Sequence, residues 1–560
     1  MRILTASDRA LLVEAADLDE AMRLNLAWDG LPGVIERVPG ARTVLVRFDP
    51  LRVSAQQLAS LLESTRADAE HVPHLREVTV PVRYDGEDLA EVAGLLGVSA
   101  DEIVNRHLAA EWRVAFSGFA PGFGYAVGRD PLFDVPRRSS PRTRVPAGSV
   151  ALAGYFTGVY PRESPGGWQL IGRTDAVMWD VDRDPPALLS PGTLVRFERA
   201  ARAVAVVAGS AAENGDEQAS SRRVAGRHAE QASDRLRSPQ AIPRRAQPWG
   251  ITGVRSIEVL RPSPQLLVQD AGRPGHAALG VSASGAADRT ALRDANRAVG
   301  NGARAAALES VGGCALRFRG DGVAAVAGAV GELSVTDAAG VTRAIPHGAP
   351  FAVADGDELE IGHPDRGLRY VIAVRGGIFA AAALGSRASD TLGGLGPAPL
   401  TAGDIVVVGA DAANAVDPFS LPRELPESGD LVELEITLGP RDDWFTETAL
   451  EALTGQEWVV TPRSDRVGIR LHGEASLQRS VDGELPSEGA VDGALQVPPD
   501  GQPVLFLPDH PLTGGYPIIG ALTDRCLDLA GQLPPGARIR FRVVDARHSH
   551  RSPDGDPQMR

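Results

Sequence analysis

Apolar and polar residues alternate along much of this chain, and the alternation predicts strands. Trp112-Arg-Val-Ala-Phe116 alternates cleanly, and residues 10–14, 33–38, 43–48 and 255–260 read as further short strands. Two early stretches instead carry the spacing of amphipathic helices, residues 17–28 and 54–64. From Val78 onward strands are punctuated by Pro and Gly and interrupted by one helix over 99–110, opened by a Ser-Ala-Asp-Glu start. The pattern predicts an α+β, mainly β protein.

A weaker repeat runs through the strands. Pro191-Gly-Thr-Leu-Val-Arg-Phe197, Asp355-Gly-Asp-Glu-Leu-Glu-Ile361, Ala402-Gly-Asp-Ile-Val-Val-Val408 and Pro535-Gly-Ala-Arg-Ile-Arg-Phe541 each place a glycine turn before a strand-like run. Related β modules explain it, and so does generic turn chemistry.

At 560 residues the chain is too long for one core. Periodicity vanishes over 209–250, where small polar residues, arginine and proline dominate, and this stretch reads as a disordered linker joining two halves. The expected domains are a small α/β unit over 1–75, a barrel over 76–208, the linker, β-rich domains over 251–430 and 431–546, and a disordered tail over 547–560.

A net charge of −15 argues against nucleic acid or an anionic membrane as partner. The N-terminus lacks a secretory pattern and no apolar run reaches the roughly 18–20 residues of a membrane span, so a cytoplasmic protein is expected. Cys314 and Cys526 lack C-x-x-C spacing and read as core thiols, with no metal site indicated. The chain has no lysine, which excludes a P-loop, a Schiff-base enzyme, a serine–lysine amidase and a biotin carrier within the chain.

The densest candidate chemistry is Phe116-Ser-Gly-Phe-Ala-Pro-Gly-Phe-Gly-Tyr-Ala-Val-Gly128. Gly118, Gly122 and Gly124 suit a loop that brings main-chain N–H groups to a ligand, with Phe119, Phe123 and Tyr125 as walls; a tight barrel corner is the alternative. His107 fits either a helix-end polar group or a proton carrier. Arg137 and Arg142 sit beside prolines, which suits a stiffened guanidinium for a carboxylate or phosphate, whereas Arg138 and Arg144 read as solvated.

The glycine motif, with Pro136-Arg137, Pro141-Arg142, Val145-Pro-Ala-Gly-Ser149, Ser164-Pro-Gly-Gly-Trp168 and Gly172-Arg-Thr174, resembles the B subunit of 5-oxoprolinase, a family also known as the first subunit of allophanate hydrolase. The second half resembles the C subunit of the same enzyme. Its motifs are Leu266-Leu-Val-Gln-Asp-Ala-Gly-Arg-Pro-Gly275, Gly280 to Gly285, Leu308-Glu309, Val374-Arg-Gly-Gly377, Leu384-Gly-Ser386 with Asp390, Gly439-Pro-Arg441, Ser464-Asp-Arg466, Ser487-Glu-Gly489, Leu495-Gln-Val-Pro498 and Asp509 with Thr513-Gly-Gly-Tyr-Pro517.

The resemblance implies cyclophilin-like β-barrels and opening of 5-oxoproline to glutamate with ATP, Mg²⁺ and a separate third subunit. It assigns catalytic roles to His107, Arg137, Arg142, Asp270 and Arg273, with Asp270 or Asp288 as Mg²⁺ carboxylates. Substrate or nucleotide contacts are expected in the B-like half from Gly118, Phe119, Pro121, Gly122, Phe123, Tyr125, Ser149, Ser164, Gly166, Gly167 and Trp168. In the C-like half they are expected from Gln269, Ser284, Gly285, Asp288, Asn296, Arg375, Gly376, Gly377, Arg441, Ser464, Arg466, Ser487, Glu488, Gln496, Asp509, Thr513, Gly514, Gly515 and Tyr516. Two other readings accompany it: a carboxyltransferase acting on urea or a similar amide with biotin on a partner protein, and a non-enzymatic pair that inhibits and relieves a histidine kinase. Self-association stays open.

Overall fold

The computed structural model describes residues 1–65, 76–138, 140, 142–200, 255–419, 423–483 and 485–544. The linker expected over 209–250, the tail over 547–560 and Pro141 lie outside the described residues. The described residues form two compact units: one takes 1–65, Phe116–Pro121 and 255–544, the other 76–115 and 122–200. The small N-terminal domain therefore belongs with the C-like half.

The first unit opens with a four-stranded antiparallel sheet in the order Arg2–Ser7, Ala10–Glu14, Thr43–Phe48, Val34–Pro39. Asp17 caps helix Leu18–Ala27 by accepting the Glu20 N–H, and Ser54 with Gln57 forms a capping box at helix Ala55–Ser64. Leu11, Val13, Val44, Val46 and Phe48 pack against these helices. Their neighbours Ala10, Leu12 and Leu45 turn to the opposite face, against Ala490, Val491 and Ile518. Burial on both faces explains why the two middle strands are nearly continuous apolar runs. The edge strand Arg2–Ser7, only partly buried along its first half, carries no such signal.

A ten-stranded sheet follows, dominated by the antiparallel pair Gly322–Thr336 and Glu358–Val374. Helix Arg289–Ala298 lays Ala291, Leu292, Ala295 and Ala298 on Ala325, Ala327, Val371 and Ala373, small residues that permit close approach. The last strands of the first unit form a closed seven-stranded barrel, in which Leu431–Leu438 pairs in parallel with Arg538–Val543.

The second unit is a seven-stranded sheet in which Glu77–Val82 pairs in parallel with Leu194–Arg199. Arg83 and Arg173 exchange N–H···O bonds of 2.8 and 2.9 Å and tie its two edges together. The protein is mainly β, built on the cyclophilin-like barrels that the resemblance implies. Where the pattern predicts one helix, two form: Leu89–Leu96 ends at Gly97 in the left-handed conformation, and Ala100–Ala109 starts at the Ser99 cap.

The glycine-turn repeat is geometric as well as compositional. Gly192, Gly356, Gly403 and Gly536 have φ of 86°, 89°, 86° and 89°, and each feeds a strand. Cys314 and Cys526 are free and buried. Among the described residues, no helix is long and apolar enough to cross a membrane.

Candidate functional site

Five separate stretches of the first unit meet in a buried ionic cluster. Arg466, fully buried, binds Asp509 through Nε at 3.1 Å and Nη2 at 3.2 Å, and also reaches Glu309 and the Gly285 carbonyl. Burial opposes the charge on Arg466, but Asp509 and Glu309 outweigh it and raise its pKa. Asp509 accepts further bonds from Ser284 Oγ at 2.6 Å and from Thr391 N and Oγ1 at 2.9 and 2.7 Å. Glu309 accepts the Ala287 N–H at 2.9 Å. Asp390, bonded to Gly393 N at 2.6 Å and Ser282 Oγ at 3.3 Å, has its pKa pushed up to about 6 by burial and then by the charge of Asp509.

Arg273 completes the group in an unusual state. It is 2 % exposed and gives Nη2 to the Ala388 carbonyl, while Nε and Nη1 have no hydrogen-bond partner. Burial lowers its pKa, against the nearby charges of Asp390, Asp270 and Asp509. Buried donors left unpaired are costly, which makes Arg273 the member of the cluster whose hydrogen bonding is incomplete.

The glycine loop adjoins this cluster through residues 280–285. Phe119 has φ of 62° and gives its N–H to Thr513 Oγ1 at 3.0 Å. A Cβ on Gly118 would lie 2.2 Å from that hydroxyl, and one on Gly280 2.7 Å from the Ala120 carbonyl, so both positions require glycine. Ser284, the Asp509 partner, also has positive φ, 50°. Two non-glycine residues held in the left-handed region within one neighbourhood mark a site whose geometry is imposed by its surroundings.

Other expected residues have different employment. His107 is fully buried, its ring nitrogens 2.8 Å from Tyr84 Oη and 3.0 Å from Thr157 Oγ1, with Trp112 and Phe197 beside it. Burial pushes its pKa down to about 3. That neutral, enclosed imidazole corrects the proton-carrier reading. Arg142 is bidentate to Asp88, at 2.9 and 2.7 Å, and Arg138 joins the same carboxylate at 2.8 Å. Burial opposes the Asp88 charge, but these guanidiniums and the Leu170 N–H hold its carboxyl below the usual range. Arg142 therefore pins a loop, and Arg138 is not merely solvated. Arg137 is half-buried and within electrostatic reach of the Tyr160 hydroxyl.

Phe123, Tyr125, Tyr160 and Trp168 make an edge-to-face cluster inside the second unit, and Gly122 packs on Trp179. Gly166 leaves room for the Tyr160 hydroxyl, Gly167 accepts the Arg138 N–H, and Ser149 Oγ closes a turn on Pro146. Ser164 Oγ lies 3.5 Å from the Arg162 carbonyl. Pro121 ends the segment that packs with the first unit.

In the first unit, Asn296 donates to Ala305, Asn301 joins it to Gly376, Gly377 has φ of 71°, and Arg375 holds the Val299 and Asn414 carbonyls. These brace the sheet. Gln269 donates to the Ser389 carbonyl, and Ser464 sets the turn before Arg466. Gln496 reaches the Tyr516 carbonyl beside Gly514, and the Tyr516 ring lies under Arg479. Gly515 is partly exposed in the same turn.

The carboxylates assigned to Mg²⁺ do not fit it. Asp270 already accepts three bonds, from Gly272 N, Ser386 Oγ and Arg387 N, and Asp288 accepts four, from Ala291 N, Arg423 twice and Gln532. Asp288 is the cap of helix Arg289–Ala298. Among the described residues, no three His, Cys, Asp or Glu side chains gather to hold a metal ion.

Residues 1–189 match the carboxyltransferase domain, subdomain C and D, and residues 279–543 the carboxyltransferase domain, subdomain A and B. The chain belongs to the carboxyltransferase-domain family. It is 40% identical over 183 residues to the 5-oxoprolinase B subunit of Bacillus subtilis (strain 168), 30% of this chain and 76% of that protein. It is 33% identical over 289 residues to the 5-oxoprolinase C subunit of Escherichia coli (strain K12), 51% of this chain and 90% of that one. Urea amidolyase of Lachancea kluyveri is 31% identical over 311 residues, 51% of this chain and 17% of that protein. The crystal structure of TTHA0988 superposes with a TM-score of 0.75 at 33% identity, covering 95% of this chain and 99% of the other. The chain is thus a fusion of a B-like and a C-like half of this family.

Within the family segments, Glu309 and Asp390 stand in the matched motifs but were not expected as site residues, and Arg369, near Glu309, carried no motif at all. Their signal was a charged residue inside an otherwise apolar strand or loop, unusual enough to require a buried partner.

Proposed function

We propose that this chain is the fused B–C component of an ATP-dependent 5-oxoprolinase, which activates 5-oxoproline by phosphorylation so that, with a separate third subunit, the ring opens to glutamate. One observation carries the reading: relatives named as the B and the C subunit of 5-oxoprolinase both match this single chain. A lactam is a stable amide; phosphorylation of its oxygen activates the ring carbon, so that water adds, the ring C–N bond breaks as the nitrogen takes a proton, and a second water hydrolyses the resulting acyl phosphate to glutamate and phosphate. Such chemistry depends on positioning and charge neutralisation.

The residues that support this role are the two unpaired N–H directions of Arg273 and the strained loop at Phe119, with Ser284 and Thr513 holding the geometry. The test is consumption of ATP by the purified chain with 5-oxoproline, with and without an active third subunit, following phosphate and glutamate. Glutamate formed only in the mixture is the expected result. No consumption of ATP or lactam in either case rejects the reading.

Membership of the carboxyltransferase-domain family favours one alternative, a carboxyltransferase component acting on urea or a similar amide. Lacking lysine, the chain would receive the carboxyl group from biotin on a partner. Carboxylation of urea when a carboxybiotinylated carrier is supplied, with no turnover of 5-oxoproline, selects it.

A further inference from the structure

A pocket of about 440 Å³ lies wholly within the first unit, and its walls come from both halves of the fusion. Arg2, Glu14, Arg42 and Thr43 belong to the small N-terminal domain; Arg441, Asp443, Trp444 and Glu488 belong to the C-terminal barrel. Its size is that of a small-molecule site. The two halves are stitched together at its edge, where the Ala41 N–H binds the Ser487 carbonyl at 2.7 Å and Arg441 bridges Glu488 and Glu14.

The charges along the wall decide what fits. Glu488, Arg441, Glu14, Arg2 and Asp443 form a chain of alternating sign, each paired with its neighbour. Burial pushes the Glu488 pKa up while Arg441 opposes it, so this carboxylate is held by its partner and is not free for a ligand. Arg42 stands outside the chain: it is exposed, lines the pocket and pairs with no acidic group among the described residues. Beside it, Thr43 is 3 % exposed and its hydroxyl has no hydrogen-bond partner. Trp444, half-buried, supplies a flat apolar wall.

An unpaired guanidinium and an indole face are the complement of a small carboxylate with a compact, flat body. We infer that this pocket is a carboxylate-binding site assembled only when the B-like and C-like halves are together, with Arg42 as the anion contact. The inference deepens the function proposed above by naming where a carboxylate-bearing substrate or product is held. It rests on that reading only for its probes, 5-oxoproline and glutamate.

The experiment is calorimetric titration of the full chain with 5-oxoproline, with glutamate, and with 2-pyrrolidinone, the same lactam without its carboxylate. One of the two carboxylates binds and 2-pyrrolidinone does not; which of them binds tells substrate site from product site. Arg42→Ala weakens that binding about tenfold or more, and Arg42→Lys less. Failure of both carboxylates to bind, equal binding of 2-pyrrolidinone, or indifference to Arg42→Ala overturns the inference. The turnover assay with the third subunit reads the enzymatic proposal separately, so glutamate formation with unchanged Arg42→Ala binding discards the pocket alone.

Discussion

The two barrels share a frame and differ in one loop. In each, the first and last strands run parallel, and a tryptophan opens the strand that pairs antiparallel with the last one, Trp112 opposite Val195 and Trp458 opposite Ile539. Each tryptophan gives Nε1–H to a helix carbonyl five residues back, His107 O and Leu453 O, both at 3.0 Å. After that strand the barrels part. One continues into the Phe119 loop, which holds a non-glycine residue at positive φ and ties its N–H to Thr513; the other turns through Ser464 to bury Arg466 among carboxylates. The shared frame rests on the tryptophan and helix, and the loop that follows is where the two barrels differ.

The largest test of this contrast is Arg466→Met. It leaves Asp509 without its ion-pair partner and Glu309 with only the more distant Arg369, and loss of one partner of a buried pair costs about 3–5 kcal/mol. Urea denaturation of the full chain, followed by hydrogen exchange in peptides of the second barrel, reads it. A loss below roughly 1 kcal/mol would show that the cluster carries little of the barrel's stability.

Matched changes Trp112→Phe and Trp458→Phe come next. Each removes one buried hydrogen bond and some volume, and about 2 kcal/mol is expected in each barrel. Protection from exchange should fall by similar amounts in the two barrels. A clear inequality breaks the correspondence between the modules.

A further contrast is the sign of pH dependence. The unfolded chain protonates His107 near the ordinary histidine value of 6.5, but the folded one only near 3, so the second unit loses stability as pH falls below 6.5. The slope is at most about 1.4 kcal/mol per pH unit, and His107→Leu, which copies Leu453, removes it. Asp390 acts oppositely in the first unit: its folded pKa of about 6 exceeds the ordinary value of 3.8, so the stability it contributes below 3.8 is lost as pH rises through 6. Melts of wild type, His107→Leu and Asp390→Asn between about pH 4 and 7, read by unit, should separate the two slopes.

What the sequence revealed followed the range of the interactions involved. Ala10–Glu14, Thr43–Phe48 and the Ser99 cap are fixed by neighbours in the chain, and all three were legible. Arg2–Ser7 is a half-exposed edge, and Leu89–Leu96 is set off from the next helix by Gly97, so neither announced itself. Prolines beside Arg142 advertised a stiff guanidinium but not its partner Asp88, which lies 54 positions upstream. Glu309 stands 157 positions from Arg466, and no local pattern connects them. The glycine loop stood out in the sequence because strain and close approach demand particular residues at particular places, whereas ion pairing constrains only charge.

The parallel pairing of each barrel's first and last strands also governs how the protein is made. Glu77 waits for Leu194, and Leu431 for Arg538. Neither barrel is able to close during synthesis until its final strand has left the ribosome, and closing so long a loop delays the reward of its contacts. Each nascent barrel thus spends its translation as an open sheet with two unpaired edges, a window in which chaperones or a neighbouring copy have access to it.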